Sequence, residues 1–216
     1  NNKYKKLNSN KRIENKKNYI HHFQDSKQII IIIGAQTCPH SHKDNLSLKI
    51  LESYLSFGMS SLLFRIFREE NSLTYDSGVF FPTSKSNAPF LVYLSVSEKN
   101  ALIAFNLLIT IWKDLITKSI SNKELYLAKL KYKNSYFHEY QTLEEVISRK
   151  IRLIGLEMDP FYDEKTFEYI KNITSEEILK VARKYLNFPS LSISGNKILC
   201  KKFELIWRNQ LSFNNL

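Results

Sequence analysis

The stretch Gln28-Ile-Ile-Ile-Ile-Ile33-Gly34 narrows the choice of fold more than any other. It is β-branched and apolar at alternate positions in both directions, the mark of a central strand covered on both faces. Such a strand needs a sheet beside it and packed layers around it. The chain can supply them: of 216 residues, 43% are hydrophobic and 25% charged, enough apolar material for a sizeable core.

The elements around this strand follow from local signals. Asp44 is placed to cap a helix whose apolar positions include Ile50, Leu51, Tyr54 and Leu55, one buried stripe. Gly58 ends it as a left-handed cap. Ser60-Ser61 opens a short helix over Leu62 to Glu70, and Leu73 to Phe81 reads as a strand. The loop Pro82 to Pro89 leads to a second strand, Phe90 to Val96, giving an antiparallel hairpin. A long helix starts at Ser97 and includes Phe105, Leu108 and Trp112. Three capping boxes follow, Ser121…Glu124, Thr142…Glu145 and Thr174…Glu177, each starting a helix. These end near Tyr140, Gly155 and Leu186, and Leu191 to Gly195 alternates as a short final strand. The order β α α β β α α α α β lacks regular βα alternation. It predicts an α+β layered fold with helices packed on a mainly antiparallel sheet.

The formal charge is +11, which invites a nucleic-acid reading. Residues Asn1 to Asn18 hold seven Lys/Arg and one Glu, so over half of the excess sits in an Asn/Lys-rich segment without interleaved stacking aromatics. That segment reads as disordered and solvated, and nucleic acid is not an expected partner. Two cysteines, Cys38 and Cys200, make no disulfide framework. The longest unbroken aliphatic run, Ile29 to Ile33, gives no expectation of membrane insertion. No secretory h-region stands at the start. Position 1 is Asn, from which we expect a segment of a longer chain.

No catalytic constellation is complete. His138-Glu139 begins a His-Glu-x-x-His zinc string, but Thr142 stands where the second His belongs, and His-x-x-Glu-His is absent. Cys38, His40 and His42 share a loop but lack a fourth ligand at a recognisable spacing, so that loop reads as a polar connection and no metal site is expected. There is no Gly-x-Ser-x-Gly elbow and no Gly-rich phosphate loop.

The informative stretch runs from Gly58 to Gly78. Ser60-Ser61, Leu63-Phe64, Arg68-Glu69, Leu73, Tyr75 and Gly78 resemble the pattern in the C-terminal half of the pitrilysin/insulinase zinc metallopeptidases, the M16 family. Gln28 before its strand, Ser121-x-x-Glu-Leu-x-x-Ala-Lys129, Arg149…Gly155, Thr174-x-Glu-Glu-Ile-x-x-Val-Ala182 and Ser194-Gly195 resemble the rest of that family's repeat. The resemblance divides the chain into a basic segment (1–18), an M16-like α+β domain (19–196) and a C-terminal extension or linker (197–216). Two departures stand out. Ser72 occupies a place usually held by Gly, where a turn needs positive φ, and Thr74 replaces the usual Ala.

The resemblance implies a zinc-free repeat that closes the chamber of a metalloendopeptidase and binds extended peptide. Zinc would be held by another domain or subunit, the catalytic half on the same chain or a partner. Arg68 and Tyr75 would contact substrate: a guanidinium holds peptide carbonyls, and a phenol donates to a carbonyl or its developing oxyanion. Arg65, one turn earlier, is the second choice for such contact. The bland alternative pairs Arg68 with a carboxylate and packs Tyr75 under the sheet. The resemblance also allows a scaffold without proteolysis, as in the core subunits of the respiratory bc1 complex. It leaves the compartment open between organelle and cytoplasm.

Overall fold

A computed structural model describes residues 18–210. The basic segment expected over 1–18 therefore lies outside the described residues except for Asn18, whose carbonyl accepts from Leu191. Five strands form one sheet in the order β1-β5-β2-β4-β3. They are β1 (Tyr19–Phe23), β2 (Gln28–Gln36), β3 (Thr74–Phe80), β4 (Pro89–Ser97) and β5 (Ser190–Gly195). Only β1 and β5 run parallel, and the other pairs are antiparallel. The α+β fold with a mainly antiparallel sheet is what the sequence predicts.

The isoleucine strand is central, with β5 on one side and β4 on the other, but it is not covered on both faces. Ile29, Ile31 and Ile33 are buried, while Ile30 is 43% exposed. The same alternation runs along β4, where Phe90, Val92, Leu94 and Val96 are buried and the intervening residues are partly open. Helices cover one face of the sheet and leave the other open, so the expectation of two covered faces is corrected.

Seven α-helices complete the described fold: α1 (Asn45–Ser56), α2 (Ala101–Thr117), α3 (Asn122–Glu139), α4 (Leu143–Gly155), α5 (Tyr162–Tyr169), α6 (Ser175–Leu186) and α7 (Lys197–Gln210). With its 3-10 entry turn, α2 is long and apolar enough to cross a membrane by length and composition. Here Ala104, Phe105, Leu108 and Trp112 are core residues, and the Trp112 indole donates to the Leu186 carbonyl at 2.9 Å, tying α2 to the end of α6. Residues 197–210, expected as an extension or linker, belong to the core: Cys200, Phe203 and Trp207 of α7 are fully buried, with the Phe203 ring against Phe105.

The caps are a finer test. Ser121 and Thr142 form complete capping boxes with Glu124 and Glu145. Thr174 accepts from the Glu177 amide, but the Glu177 carboxylate takes a bond from Ser47 instead of returning to the cap. Asp44 does not cap α1 with its side chain. Its carboxylate accepts from Lys184 at 2.6 Å and Tyr185 at 3.0 Å, joining α1 to α6. A charged partner outweighs a neutral amide in the competition for one carboxylate. Gly58 has φ of +74°, as a left-handed helix end requires.

Candidate functional site

The stretch from Gly58 to Gly78 folds into a π-helical turn, a reversal and the edge strand β3. The expected short helix is present but widens to π geometry over Phe64–Glu70. Phe67 is fully buried and anchors it. The reversal closes on two backbone bonds, Ser72 N–H to Arg68 C=O at 3.2 Å and Leu73 N–H to Phe67 C=O at 2.7 Å. Ser72 has φ of +50°. The turn keeps its left-handed residue although a side chain now occupies it, at a cost of about 1 kcal/mol against glycine.

The next irregularity sets the aim of Tyr75. The register between β3 and β4 passes from Thr74↔Val96 to Asp76↔Ser95, so Tyr75 is an extra residue in a β-bulge. Thr74 holds the bulge in shape. Its hydroxyl lies 2.6 Å from the carbonyl of Asp76 and 2.6 Å from that of Ser95, and it accepts from the Asp76 amide at 3.1 Å. A bulge on an edge strand re-aims a side chain, and Tyr75 is 79% exposed. It does not pack under the sheet.

Gly78 shows why a glycine suits this strand. A Cβ there would meet the Tyr93 hydroxyl at 2.8 Å and its ring at 3.0 Å, because the Tyr93 side chain lies across the glycine on the open face of the sheet. Burial and the neighbouring Asp76 carboxylate raise the Tyr93 pKa, so the phenol keeps its proton and can donate.

Arg68 is exposed, with its guanidinium 5.2 Å from the Phe64 ring. Among the described residues it has no carboxylate partner. Arg65, by contrast, lies 3.7 Å from Glu70 and 4.0 Å from Glu124. Arg68 and Tyr75 therefore flank one closed turn at the edge of the sheet, and both point polar groups at solvent. The local sequence carries this turn through Ser72, but neither the bulge nor the π turn leaves a local signal.

The histidine loop behaves differently. His40 is 3% exposed, its Nδ1 is 3.0 Å from Asn45 Oδ1, and its ring tilts against Tyr162. Burial, with repulsion from Arg149, lowers its pKa to about 4. His42 Nδ1 accepts from the Asp44 amide at 3.1 Å. Cys38 and His42 line a cleft of about 350 Å³ together with Lys184 and Tyr185. Burial pushes the Cys38 thiol pKa up, away from nucleophilic behaviour. No group of three His, Cys, Asp or Glu side chains among the described residues is placed to hold a metal ion.

Comparison with known proteins bears on the family and the fold. The family described as the peptidase M16 inactive domain matches residues 2–132. Among solved structures, the chain is similar to a peptidase M16 inactive domain from Pseudomonas fluorescens, with a TM-score of 0.74 and 16% identity, over 83% of this chain and 43% of that one. It is similar to a protease from Helicobacter pylori, with a TM-score of 0.72 and 15% identity, over 82% of this chain and 43% of that one. A third similarity is to Complex III2 from Candida albicans, with a TM-score of 0.64 and 18% identity, over 82% of this chain and 45% of the matched chain. No curated protein matches. The chain spans less than half the length of these solved structures. It belongs to the M16 peptidase family, as an inactive domain of that family.

Proposed function

We propose that this domain serves an M16-type metalloendopeptidase as the part that closes the chamber and binds extended peptide, while another domain or subunit holds the zinc. The observation that carries the reading is Tyr75: a bulge locked by Thr74 lifts its phenol off an edge strand into solvent, beside an Arg68 without a carboxylate partner among the described residues. Placing an aromatic side chain in water gives up the stabilisation that burial would bring, and a ligand for the phenol accounts for that arrangement. In this reading Arg68 holds substrate carbonyls, and Tyr75 donates to the scissile carbonyl as charge develops on it. The outer edge of β3 offers backbone groups to an extended peptide, and the open face with Ser95, Tyr93 and Ile30 faces the chamber.

The experiment is steady-state kinetics on the assembled peptidase. Tyr75→Phe lowers kcat roughly 10–1000-fold if the phenol stabilises the oxyanion, without a change in melting temperature, since the residue is 79% exposed. Arg68→Ala mainly raises KM, as loss of uniform substrate binding requires. Wild-type kinetics for both variants in a folded protein would rule out these roles.

The likeness to Complex III2 favours a second reading, a catalytically inactive scaffold subunit of a larger complex. The two separate on the partner: an inverted His-x-x-Glu-His zinc motif in the companion half supports the peptidase, and its absence supports the scaffold.

A further inference from the structure

Helix α4 carries its apolar side outward. Its one buried residue is Leu153, whereas Leu143, Ile147, Ile151 and Ile154 are 76%, 47%, 62% and 58% exposed. At spacings of four, four and three residues they form a single stripe, about 16 Å long at 1.5 Å per residue. Phe161, 56% exposed, extends the patch; the Lys150 ammonium sits 4.1 Å from its ring. Helix α6 shows the usual arrangement, with Ile178, Val181, Ala182 and Leu186 all turned into the core.

What ties α4 to the domain is largely polar. Arg149 donates to both oxygens of Asp163 at 2.9 and 2.8 Å, and Lys150 to Glu164 at 3.0 Å. The complete capping box at Thr142 and Glu145 sets the start of the helix. The stripe is therefore presented on a helix whose conformation and attachment are already specified, and none of the described residues covers it.

Three kinds of cover compete. A lipid surface calls for a basic border around the apolar stripe, but Glu144, Glu145 and Glu164 alternate here with Lys150 and Arg152. A second copy pairing through α4 would bury one helix-wide strip, well short of the roughly 800 Å² per partner of a stable interface. A companion domain escapes both. It needs no basic border, and a domain already held in the same chain or assembly is kept at high effective concentration, so a smaller contact area suffices. The solved structures of this fold have chains of which the present one covers only 43–45%, so there the fold shares its chain with at least as much polypeptide again.

We propose that the α4 stripe is the docking surface for the companion domain of the same M16 assembly, whose apolar surface covers Leu143, Ile147, Ile151 and Ile154. The inference rests on the reading of this domain as one part of such an assembly, not on that assembly being an active peptidase.

The test is thiol accessibility in the intact natural assembly. Ile151→Cys is reacted with a maleimide reagent, and its rate is compared with that of the same thiol in the urea-unfolded protein. Docking predicts slowing of at least about 100-fold. A rate within about tenfold of the unfolded protein overturns the proposal. Protection that disappears on dilution, in step with dissociation of identical copies, also overturns it, because the cover is then a second copy. Protection seen only with phosphatidylcholine/phosphatidylserine vesicles does the same in favour of a lipid surface. In addition, Ile147→Glu/Ile151→Glu leaves the circular dichroism of the assembly unchanged but opens the junction between domains to limited proteolysis; a junction as resistant as in the wild type counts against the proposal. A peptide-cleavage assay keeps the two readings apart. Protection of residue 151 without cleavage overturns the peptidase reading alone, and cleavage without protection overturns the docking surface alone.

Discussion

The two ends of the sheet both carry polar side chains of the kind that do chemistry, and they use them in opposite ways. At the end where β2 leaves and β4 enters, the loop after Gln36 turns its groups inward: His40 to Asn45 and Tyr162, and Asp44 to Lys184 and Tyr185. At the other end, where Thr74 pairs with Val96, Arg68 and Tyr75 are turned outward. The inward end contains the residue types of a metal site, and His40 Nδ1, His42 Nδ1 and the Asp44 carboxylate are engaged inside the fold, with His40 Nε2 buried and unpartnered. The outward end holds no recognisable catalytic set, yet its two polar groups, Arg68 and Tyr75, face solvent with no carboxylate partner for Arg68 among the described residues. Partnership, more than residue type, separates a structural cluster from a candidate site.

The inward end should give the largest effects on stability. Beside His40, the Arg149–Asp163 pair is largely enclosed, with side chains 11% and 4% exposed. Burial opposes the charge of Arg149, but the hydrogen bonds it donates to Asp163 outweigh this and raise its pKa. Arg149→Ala leaves a buried carboxylate without its counter-ion and should cost about 3–5 kcal/mol in urea unfolding. A loss below about 1 kcal/mol would show the pair to be exchangeable, as surface pairs are.

His40 gives the next effect, with a definite sign. Its pKa falls from an ordinary 6.5 to about 4 because burial disfavours the charged ring. Between those values the unfolded chain takes up a proton that the folded one refuses, so stability is full above about pH 6.5 and declines as the pH falls toward 4. The loss approaches about 3 kcal/mol. Chemical denaturation across that window measures it, and His40→Gln should flatten the decline; an equally steep curve in the variant would move the cause elsewhere.

The outward end gives the smallest effect, and a stabilising one. Ser72→Gly removes a side chain from φ of +50° and should add about 0.5–1 kcal/mol, part of the relief being offset by the greater freedom of glycine in the unfolded chain. Thermal melting reads this directly, and a lower melting temperature would mean that the serine side chain contributes something the backbone angle does not reveal.

Local signals carried much of this architecture into the sequence. The isoleucine run marks β2, the complete boxes at Ser121 and Thr142 mark α3 and α4, and Gly58 marks a left-handed helix end. What the sequence hid depends on distant partners. Strand β1 is mostly exposed and owes its place to β5, from which it is separated by most of the chain. Helix α5 has eight residues and no side-chain cap. The covering of β2 was over-read because five isoleucines look alike on both faces, and only the position of the helices distinguishes Ile30 from Ile31. At the candidate site, Arg68 and Tyr75 were named from a family pattern, but the device that presents Tyr75 requires Thr74 to meet Ser95 across two strands. No reading of adjacent residues contains that meeting.

The π turn at Phe64–Glu70 has a consequence for how this chain is aligned with others. A π turn takes up one residue more than the α winding around it, so a relative that is purely α-helical there would be one residue shorter, and an ungapped alignment would pair Arg68 with the wrong neighbour. Rewinding Phe64–Glu70 as regular α-helix with no residue removed would rotate Arg68 by roughly 100° about the helix axis. Removing one residue between Leu63 and Arg68 along with the rewinding would keep its direction. The segment is thus sensitive to its count of residues as well as to their kind, and a frame of one residue separates an arginine beside Tyr75 from one facing another part of the surface.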